Sequence, residues 1–410
     1  MNINKSFIVK SHDDGEFIAE AFGIESGHNN VILNNIEIPD EIPKVTYITG
    51  ESGCGKSTLL KEVYSKYIQK LEIPKEPLFK WGKDEQETLK YLSLVGLGDA
   101  VLFMSHYDEL SDSQQYRARL LLELLNDNEI IVLDEFLSTL DRKTAQSVAY
   151  CFRKAIRKTS KKIVVATAHD DLIDYLQPDL LIKGKAFPSR WEIHRNDTTE
   201  ILNPYNDIII KDEDKNWYRE CSLGELHYKG KYTGGVKDYL AAYYKETLVG
   251  LLIGTYRMAD GGRRISRVVV HPSYRGIGIG QKLVEEYISR YNTADVVATM
   301  ALYNPVFEKS GMKRVKDVEI KPPKGLSTIL KTNKFDCSKW YSKDYCMVFM
   351  SDKNNRKILL NYTKEISYLV CPGGKYLKET EVEYKLINDT STSGRVLWNL
   401  RPRTMAKFIA

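Results

Sequence analysis

The sequence has no long apolar run. No stretch approaches the roughly 18 consecutive apolar residues that a helix needs to cross a bilayer. The first residues, MNINKSFIVKSHDDGEF, also lack the apolar core of a secretory signal. We therefore expect a cytoplasmic protein with no membrane partner and no membrane domain of its own.

Closely spaced cysteines are lacking too. The six cysteines never occur in CxxC spacing, so neither a disulfide framework nor a common zinc motif is indicated. A metal site built from Cys337, Cys346 and Cys371 is an alternative that their spacing does little to support.

Acidic residues are scarce only near the C-terminal end. Residues 321–410 hold 17 Lys and Arg against 8 Asp and Glu, a net charge of +9, whereas residues 1–320 carry −4. A basic segment on a slightly acidic body favours an anionic partner such as DNA or RNA. A basic surface that only faces solvent is the alternative.

A strand, a glycine-rich loop and a helix are predicted between residues 45 and 63. The loop GESGCGKS fits the pattern GxxxxGK[ST], in which backbone N–H groups converge on nucleotide phosphates at the helix N-terminus. Lys56 is expected to reach the β- and γ-phosphates of ATP, and Ser57 to ligate Mg²⁺. The predicted nucleotide-binding residues of this P-loop are Gly50, Ser52, Gly53, Gly55, Lys56, Ser57 and Thr58.

A second buried strand, in EIIVLDEF, ends in two carboxylates. Asp134 is expected to hold Mg²⁺ through water. Glu135 stands where a base for the attacking water is needed in ATP hydrolysis.

Three further segments resemble motifs of the ABC-type ATPases. LSDSQQYRARLLLELL (110–125) resembles their signature, STLD (138–141) their D-loop, and VVATAHDD (164–171) the strand that ends in their switch histidine, here His169. The resemblance covers about residues 1–195. It implies a homodimer that sandwiches ATP, with Ser111 and Gln114 facing the partner's P-loop and Asp141 crossing between the two chains.

The chain departs from that family at several places. Asp112 and Ser113 replace the two signature glycines, so whether ATP is hydrolysed or only sensed stays open. No Q-loop, the segment that couples to membrane subunits, is recognisable, which favours the soluble ABC ATPases of DNA-repair and regulatory proteins. Phe22 is either an adenine-stacking residue or a core aromatic.

A second glycine loop, RGIGIG at residues 275–280, follows a hairpin and a third strand, SRVVVHP. Together with PSYR before it and NPVFEKSGM at 304–312, it resembles the acyl-CoA-binding motifs of the GNAT acyltransferases over about residues 205–320. The family likeness implies that the loop amides bind the pyrophosphate of acetyl-CoA or another acyl-CoA, and that a strand edge pairs with the pantetheine. A side chain at Gly278 is then expected to block the pyrophosphate. The residues implied are Val269, Val270, Arg275, Gly276, Ile277, Gly278, Ile279 and Gly280.

The catalytic groups of this second region stay open. Phe307 stands where many GNAT enzymes carry a tyrosine acid, so Tyr303 or Asn304 is a candidate substitute. His227 and Tyr228 are candidates for removing a proton from an amine, with a surface histidine as the alternative. The order of motifs also resembles the phage Mom-type enzymes, GNAT relatives that modify adenine in DNA.

The predicted fold class is α/β: an ABC-type P-loop ATPase domain (1–200), a GNAT acyltransferase α/β domain (205–320) and a small basic β-rich C-terminal module (321–410). In the last, FDCSKWYSKDYCMVFMS, KILLNY and ISYLVC are read as strands. The tail residues Arg401, Arg403 and Lys407 are expected to contact phosphates. In the alternative, the tail packs on the GNAT sheet through Trp398 and Phe408.

The sequence is compatible with two functions. The first is an ATP-dependent or ATP-gated acyl-CoA N-acyltransferase that acts on nucleic acid, on a protein or on a small amine. The second is an ATPase clamp on nucleic acid with an inactive GNAT fold.

Overall fold

The computed structural model describes residues 2–8, 21–22, 29–185, 190–195, 202–227, 235–256, 262–292, 294–370 and 377–410. Mixed sheets and helices confirm the predicted α/β class. The strands are β1 (Asn2–Ile8), β2 (Asn29–Glu37), β3 (Val45–Gly50), β4 (Ile130–Leu133), β5 (Lys162–Ala166), β6 (Leu180–Lys185), β7 (Arg190–Arg195), β8 (Ile208–Asp212), β9 (Val236–Tyr244), β10 (Thr247–Tyr256), β11 (Arg263–Val270), β12 (Asp295–Ala298), β13 (Lys313–Ile320) and β14 (Arg403–Ile409). The helices are α1 (Lys56–Tyr64), α2 (Glu85–Leu94), α3 (Ala100–Met104), α4 (Asp112–Leu125), α5 (Arg142–Arg157), α6 (Ile173–Leu176), α7 (Lys215–Glu220), α8 (Ile279–Arg290), α9 (Val306–Lys309), α10 (Leu326–Thr332), α11 (Lys343–Phe349), α12 (Lys353–Lys357), α13 (Thr363–Val370), α14 (Glu379–Asn388) and α15 (Thr390–Asn399).

The chain divides into two compact units. Unit 1 comprises Met1–Ile208, Tyr244–Val249 and Val270–Ile279, and unit 2 comprises Ile209–Tyr243, Gly250–Val269 and Gly280–Ala410. Most of the second glycine loop therefore belongs, by its contacts, to the same unit as the P-loop. No sequence pattern indicates that grouping.

The main sheet of unit 1 has the strand order β4-β5-β3-β6-β7. Its first four strands run parallel and β7 is antiparallel to β6. The apolar run of β3 is fully buried, as expected for a parallel strand that is covered on both faces. Because loops after parallel strands share one edge of the sheet, the P-loop, Asp134 and His169 all follow strands at that edge.

A second, seven-stranded sheet has the order β13-β14-β12-β11-β10-β9-β8. The predicted hairpin is confirmed: β9 and β10 are joined at Lys245 and Glu246, whose φ angles of 47° and 65° suit a tight two-residue turn. Strands β11 and β12 are parallel, and among the described residues they pair at Arg264 with Asp295 and at Ile265 with Val296. On its other side, β12 pairs antiparallel with β14 from Asp295 to Ala298.

The β-rich prediction for residues 321–410 is wrong. Six helices, α10 to α15, occupy most of the described part of this segment and bury a core that includes Trp340, Leu359 and Leu397. The segment FDCSKWYSKDYCMVFMS contains a short 3₁₀ turn and α11, and KILLNY and ISYLVC are also helical where described. Residues that cap helix N-termini, Ser342, Asp352 and Asp389, precede three of these helices.

The tail follows the packing alternative through Phe408 but not through Trp398, which packs on the helical core of the C-terminal segment. Strand β14 lies between β12 and β13 in the sheet, and Phe408 is fully buried, with its ring centroid 5.6 Å from that of Phe307. Arg401 stacks on Trp398 and donates to its carbonyl, and Arg403 donates to the carbonyl of Asn399. These arginines therefore serve the packing of the tail.

In the part of the chain that the structure describes, no helix is both long and apolar enough to cross a membrane. The described residues also contain no cluster of three or more His, Cys, Asp or Glu side chains suited to a metal ion. Of the three cysteines considered as metal ligands, Cys371 lies outside the described residues.

Candidate functional site: two glycine loops

The P-loop links the end of β3 to the start of α1. Gly50 has φ 143°, and a Cβ built there lies 2.0 Å from the carbonyl oxygen of Gly184, so only glycine fits. Gly55 (φ 98°) directly precedes the helix, and Gly53 (φ 81°) opens onto free space. Lys56 and Ser57 begin the helix, where backbone N–H groups have no partner within the helix.

Lys56 is buried inside this loop. Its Nζ donates to the carbonyl oxygens of Gly50 and Glu51, at 2.9 Å each, and only 8% of the residue is exposed. The ammonium is thus directed at the loop backbone, beside the open face at Gly53. Orphan amides, a buried ammonium and the Ser57 hydroxyl are the donors that a nucleotide phosphate requires, and the residues present fit Mg-ATP.

The two carboxylates after β4 are exposed. Asp134 Oδ1 accepts the N–H of Glu135 at 3.0 Å, and Glu135 itself has φ 50°. Leu137, two residues on, also has a positive φ of 56°, so this turn is strained. The Leu137 N–H donates to the hydroxyl of Tyr116 on the signature helix α4, at 2.9 Å, which holds the turn in place.

The surroundings of Tyr116 keep its hydroxyl protonated. Burial, partly offset by its hydrogen bond to Leu137 and reinforced by the charge of Glu135, raises the pKa of Tyr116 to about 12.

The signature and D-loop residues lie at helix N-termini. Ser111 precedes α4, and its N–H donates to Gln114 Oε1 at 2.9 Å. Asp141 caps α5 by accepting the N–H of Thr144 at 3.0 Å. Burial alone would raise the pKa of Asp141, but hydrogen bonds from Thr144 and the charge of Arg117 outweigh it and hold this pKa below its usual range.

The switch segment is tied to the P-loop strand. The carbonyl of His169 accepts a hydrogen bond from Tyr47 at 2.6 Å, and the side chain of Asp170 accepts one from the Thr49 hydroxyl at 2.6 Å. Asp171 forms an ion pair with Arg142, the first residue of α5. The structure thus links the segment around His169 to both β3 and the helix that follows the D-loop.

Phe22 is 77% exposed, which excludes the core alternative for this side chain.

The second glycine loop precedes the 12-residue helix α8. Gly276 and Gly278 have φ 88° and 102°. Within the described part of the chain, the N–H groups of Gly276, Ile277 and Gly278 have no hydrogen-bond acceptor, and Ile279 and Gly280 begin the helix. A row of unpaired amides at a helix N-terminus fits a pyrophosphate.

The glycines in this loop have a second role that the sequence does not reveal. A Cβ at Gly276 lies 2.2 Å from Cys151 Sγ, and a Cβ at Gly278 lies 2.6 Å from the ring of Tyr205. The space beside each Cα is therefore filled by protein. A side chain at Gly278 would first meet Tyr205, which corrects the expectation that it would simply block the pyrophosphate.

Strands β11 and β12 pair over only part of their described length. Their pairing ends at Ile265, so the β12-facing edge of β11 from Ser266 to Val270 carries no β12 partner among the described residues. Val269 is buried and Val270 half-buried. At Val269 and Val270, beyond its pairing with β12, the strand edge can accept an extended chain through backbone hydrogen bonds.

The acyl-transfer candidates lie on separate elements. His227 follows the 3₁₀ turn Ser222–Leu226 and is half-buried. Tyr303 and Asn304 follow a 3₁₀ turn after β12, half-buried and exposed respectively. Phe307 is 5% exposed and packs on Phe408, while Tyr228 lies outside the described residues.

Sequence reasoning missed the residues that hold the second loop. Arg275 Nη2 forms an ion pair with Asp99 at 3.3 Å, and Cys151 Sγ approaches the carbonyl oxygen of Arg275 at 3.7 Å. Asp99 and Arg275 are 176 positions apart, and neither Asp99 nor Cys151 belongs to a motif, so no local signal identifies them.

Comparisons with known proteins find relatives of both kinds, GNAT acetyltransferases and ATP-binding proteins. The family model "Acetyltransferase (GNAT) domain" matches residues 217–321. The probable peptide export ATP-binding protein YydI of Bacillus subtilis is 26% identical over 164 residues, covering 34% of this chain and 77% of that protein. The aliphatic sulfonates import ATP-binding protein SsuB of the same organism is 26% identical over 226 residues, covering 46% and 86%.

The chain contains an ABC-type ATPase region and a GNAT acetyltransferase domain. These matches support ATPase and acyltransferase activity. Solved structures are less similar to this chain. A dimeric bacterial ABC transporter cassette, MJ0796, matches at 18% identity with a TM-score of 0.33, covering 48% of this chain and all of that one. An IAA acetyltransferase from Bacillus cereus matches at 15% identity, TM-score 0.25, covering 28% and 81%. Nothing about binding or assembly follows from TM-scores this low.

Proposed function

We propose that the chain is an acyl-CoA-dependent N-acyltransferase whose activity is gated by ATP and whose acceptor is nucleic acid. The observation that carries this proposal is the presence of two glycine loops, each at a helix N-terminus with orphan amides, in one polypeptide. One loop has the lysine and carboxylates that a Mg-nucleotide needs. The other follows β11 in the sequence, a strand whose pairing with β12 ends, among the described residues, at Ile265.

At the ATPase region, each residue has a proposed task. Lys56 moves from the loop carbonyls to the phosphates, and Ser57 and Asp134 hold the magnesium ion. Glu135 orients the attacking water and His169 supports it. Two chains are proposed to form the ATP sandwich, in which Ser111, Gln114 and Asp141 face the partner.

At the GNAT domain, the amides of residues 276–280 are proposed to bind the pyrophosphate, and Val269 and Val270 to pair with the pantetheine. The bound acyl-CoA supplies an activated carbonyl carbon. The acceptor nitrogen bonds to that carbon and the carbon–sulfur bond breaks. His227 or Tyr228 takes the amine proton, and Tyr303 or Asn304 supports protonation of the departing thiolate.

Nucleic acid is the proposed acceptor because residues 321–410 carry a net charge of +9. Since the tail arginines serve packing, exposed lysines elsewhere in this segment are the proposed phosphate contacts. Apart from Lys321 and Lys339, which pair with Glu319 and Asp336, they are Lys324, Lys331, Lys334, Lys343, Lys353, Lys357, Lys364 and Lys378. A likeness to the Mom-type enzymes would make the acceptor a DNA base.

The proposal is tested by incubating the purified chain with Mg-ATP, acetyl-CoA labelled in the acetyl group, and DNA or RNA. Label is expected in the nucleic acid, and omission of ATP or the Lys56→Ala change should reduce it. Spermidine and a lysine-rich peptide serve as other acceptors. Label in one of these and none in nucleic acid would overturn the proposed acceptor.

A second candidate function is an ATPase clamp on nucleic acid whose GNAT domain no longer transfers acyl groups. The burial of Phe307 against Phe408, at the position where many GNAT enzymes have a tyrosine acid, favours it. This candidate requires that acetyl-CoA binds and that none of the acceptors is labelled.

A further inference from the structure

We propose that Asp99 competes with the coenzyme A pyrophosphate for Arg275, and that this competition couples the affinity for acyl-CoA to the ATP state of the signature helix. The proposal rests on the proposed function, since it requires that acyl-CoA binds the second glycine loop.

Asp99 has two partners in unit 1. Its Oδ1 caps α3 by accepting the N–H of Val101 at 3.0 Å, and its Oδ2 pairs with Arg275 Nη2 at 3.3 Å. The side chains are 29% and 18% exposed, so water screens this ion pair only in part. The cap fixes the carboxylate in space, and the carboxylate holds the guanidinium.

Arg275 begins the loop that presents the orphan amides. A pyrophosphate on those amides would bring negative charge close to this side chain. The guanidinium then has two acceptors of the same sign, the carboxylate of Asp99 and the phosphate oxygens. Neutralisation of Arg275 by Asp99 therefore lowers the affinity of the loop for an anion.

The same contacts lead to the ATPase motifs. Arg117 on α4 is 7% exposed, and it donates to the carbonyl of Ser113 in the signature at 3.1 Å and to that of Gly96 at 2.9 Å. Gly96 lies three residues before Asp99. A change in the signature region on ATP binding therefore has a short, hydrogen-bonded route to Asp99.

The charges of Arg117 and Arg275 provide a second link between the signature and the second loop. Burial first, and the charge of Arg275 second, lower the pKa of Arg117 to about 10, so the two guanidinium groups affect each other electrostatically. Asp141 of the D-loop opposes that effect. Helix α5, which Asp141 caps, also carries Cys151 against the backbone of Arg275 and Gly276.

Coupling of this kind is reciprocal: if ATP changes the affinity for coenzyme A by some factor, coenzyme A changes the affinity for ATP by the same factor. The test is isothermal titration calorimetry with coenzyme A, in the absence and presence of a saturating non-hydrolysable ATP analogue with Mg²⁺. In the unmodified protein, the two dissociation constants are expected to differ by about threefold to fivefold, within the range that a partly exposed ion pair can supply.

Asp99→Asn removes the charge and keeps the cap, because asparagine is an equally good N-cap. It is expected to tighten coenzyme A binding roughly twofold to fivefold without nucleotide and to reduce the effect of the ATP analogue to less than about twofold. Asp99→Glu, which keeps the charge, is expected to retain the coupling. Asp84→Asn is the matched control, since Asp84 caps α2 in the same way through Gln86.

The outcomes separate the two proposals. Failure of the unmodified protein to bind coenzyme A overturns the proposed function. Coenzyme A binding that is insensitive to the ATP analogue, or coupling that survives in Asp99→Asn, overturns this inference and leaves the proposed function standing. Equal effects of Asp99→Asn and Asp84→Asn would show a change of helix stability and would also overturn it.

Discussion

At the scale of single residues, the P-loop was predictable because its chemistry is local. Eight consecutive residues specify the loop pattern. In the structure Gly50 and Gly55 have positive φ angles and Lys56 donates to the backbone of the loop, while its binding of phosphate stays a prediction. The second loop was predictable only in part. Its glycines also leave space for the side chains of Cys151 and Tyr205, which are distant in sequence and belong to no recognised motif.

Gly50 and Gly53 of the P-loop both have positive φ angles, but only Gly50 is in close contact with other backbone atoms. We therefore predict that alanine at the two positions lowers the free energy of unfolding by different amounts. Gly50→Ala combines a forbidden backbone angle with a clash on Gly184, and should lower the free energy of unfolding of unit 1 by at least about 2 kcal/mol. Gly53→Ala, at a positive φ with open space, should cost about 1 kcal/mol. Urea denaturation compares them, and equal losses would contradict the assigned clash.

We predict that the stability of the turn before the second loop depends on pH through His271, which caps this turn. Its Nδ1 accepts the N–H of Ser273 at 3.2 Å, which requires a neutral ring. Burial first, then the charges of Arg275 and Lys143, lower the pKa of His271, against an opposing effect of Asp141. Because the folded pKa lies below the unfolded one, the stabilisation is complete above the unfolded value of about 6.5 and is lost as the pH falls towards the folded one.

Amide hydrogen exchange of residues 270–280, expressed as protection relative to the intrinsic rate at each pH, measures this effect. Protection is expected to fall between pH 7.5 and pH 5.5. His271→Asn, which keeps a capping acceptor without the titration, should remove most of the change. The same fall in both proteins would refute the role of the ring.

At the scale of elements, sequence patterns predicted the hairpin and failed for residues 321–410. The apolar runs there are short, and their periodicity does not distinguish strand from buried helix. The distinguishing signals were N-caps: Ser342, Asp352 and Asp389 each accept a backbone N–H at the start of a helix. The sequence offered packing of the tail on the GNAT sheet as an alternative, but not the strand partners of β14. These partners, β12 and β13, lie about 80 to 110 residues earlier in the chain, and nothing local selects them.

Arg264 and Asp295, the first residue pair of the β11–β12 ladder, form an ion pair whose two members are expected to differ in their effect on stability when mutated. Asp295 has a fully buried side chain, whereas that of Arg264 is 41% exposed. Arg264→Ala leaves the buried carboxylate without this counter-ion and should cost about 2–3 kcal/mol after allowance for screening. Asp295→Asn leaves an arginine that can reach solvent and should cost about 1 kcal/mol. Thermal unfolding compares the two variants, and the reverse order would contradict this account of the junction.

At the scale of the whole molecule, the two sets of motifs indicated an ABC-type ATPase region and a GNAT domain, and the comparisons confirm both. The sequence did not indicate that residues 270–279 group with the ATPase region in one compact unit. That grouping arises from contacts between residues more than 100 positions apart, such as Arg275 with Asp99 and with Cys151.

Assembly on ATP is the next prediction at this scale. Glu135→Gln keeps the shape of the side chain and removes its ability to act as a base, so the proposed sandwich should form and persist. Light scattering with saturating Mg-ATP is expected to show a dimer for this variant and a monomer without nucleotide. A variant that stays monomeric with Mg-ATP would exclude the sandwich.

The central claim is that one chain binds ATP and acyl-CoA at two separate glycine loops. Calorimetric titration of the Lys56→Ala variant, first with Mg-ATP and then with coenzyme A, tests it most directly. Lys56 lies inside the P-loop and contacts only its backbone and Cys54 among the hydrogen bonds of the described residues. We predict that ATP binding is lost while one coenzyme A still binds per chain. Loss of both ligands, or displacement of coenzyme A by ATP in the unmodified protein, would contradict the account.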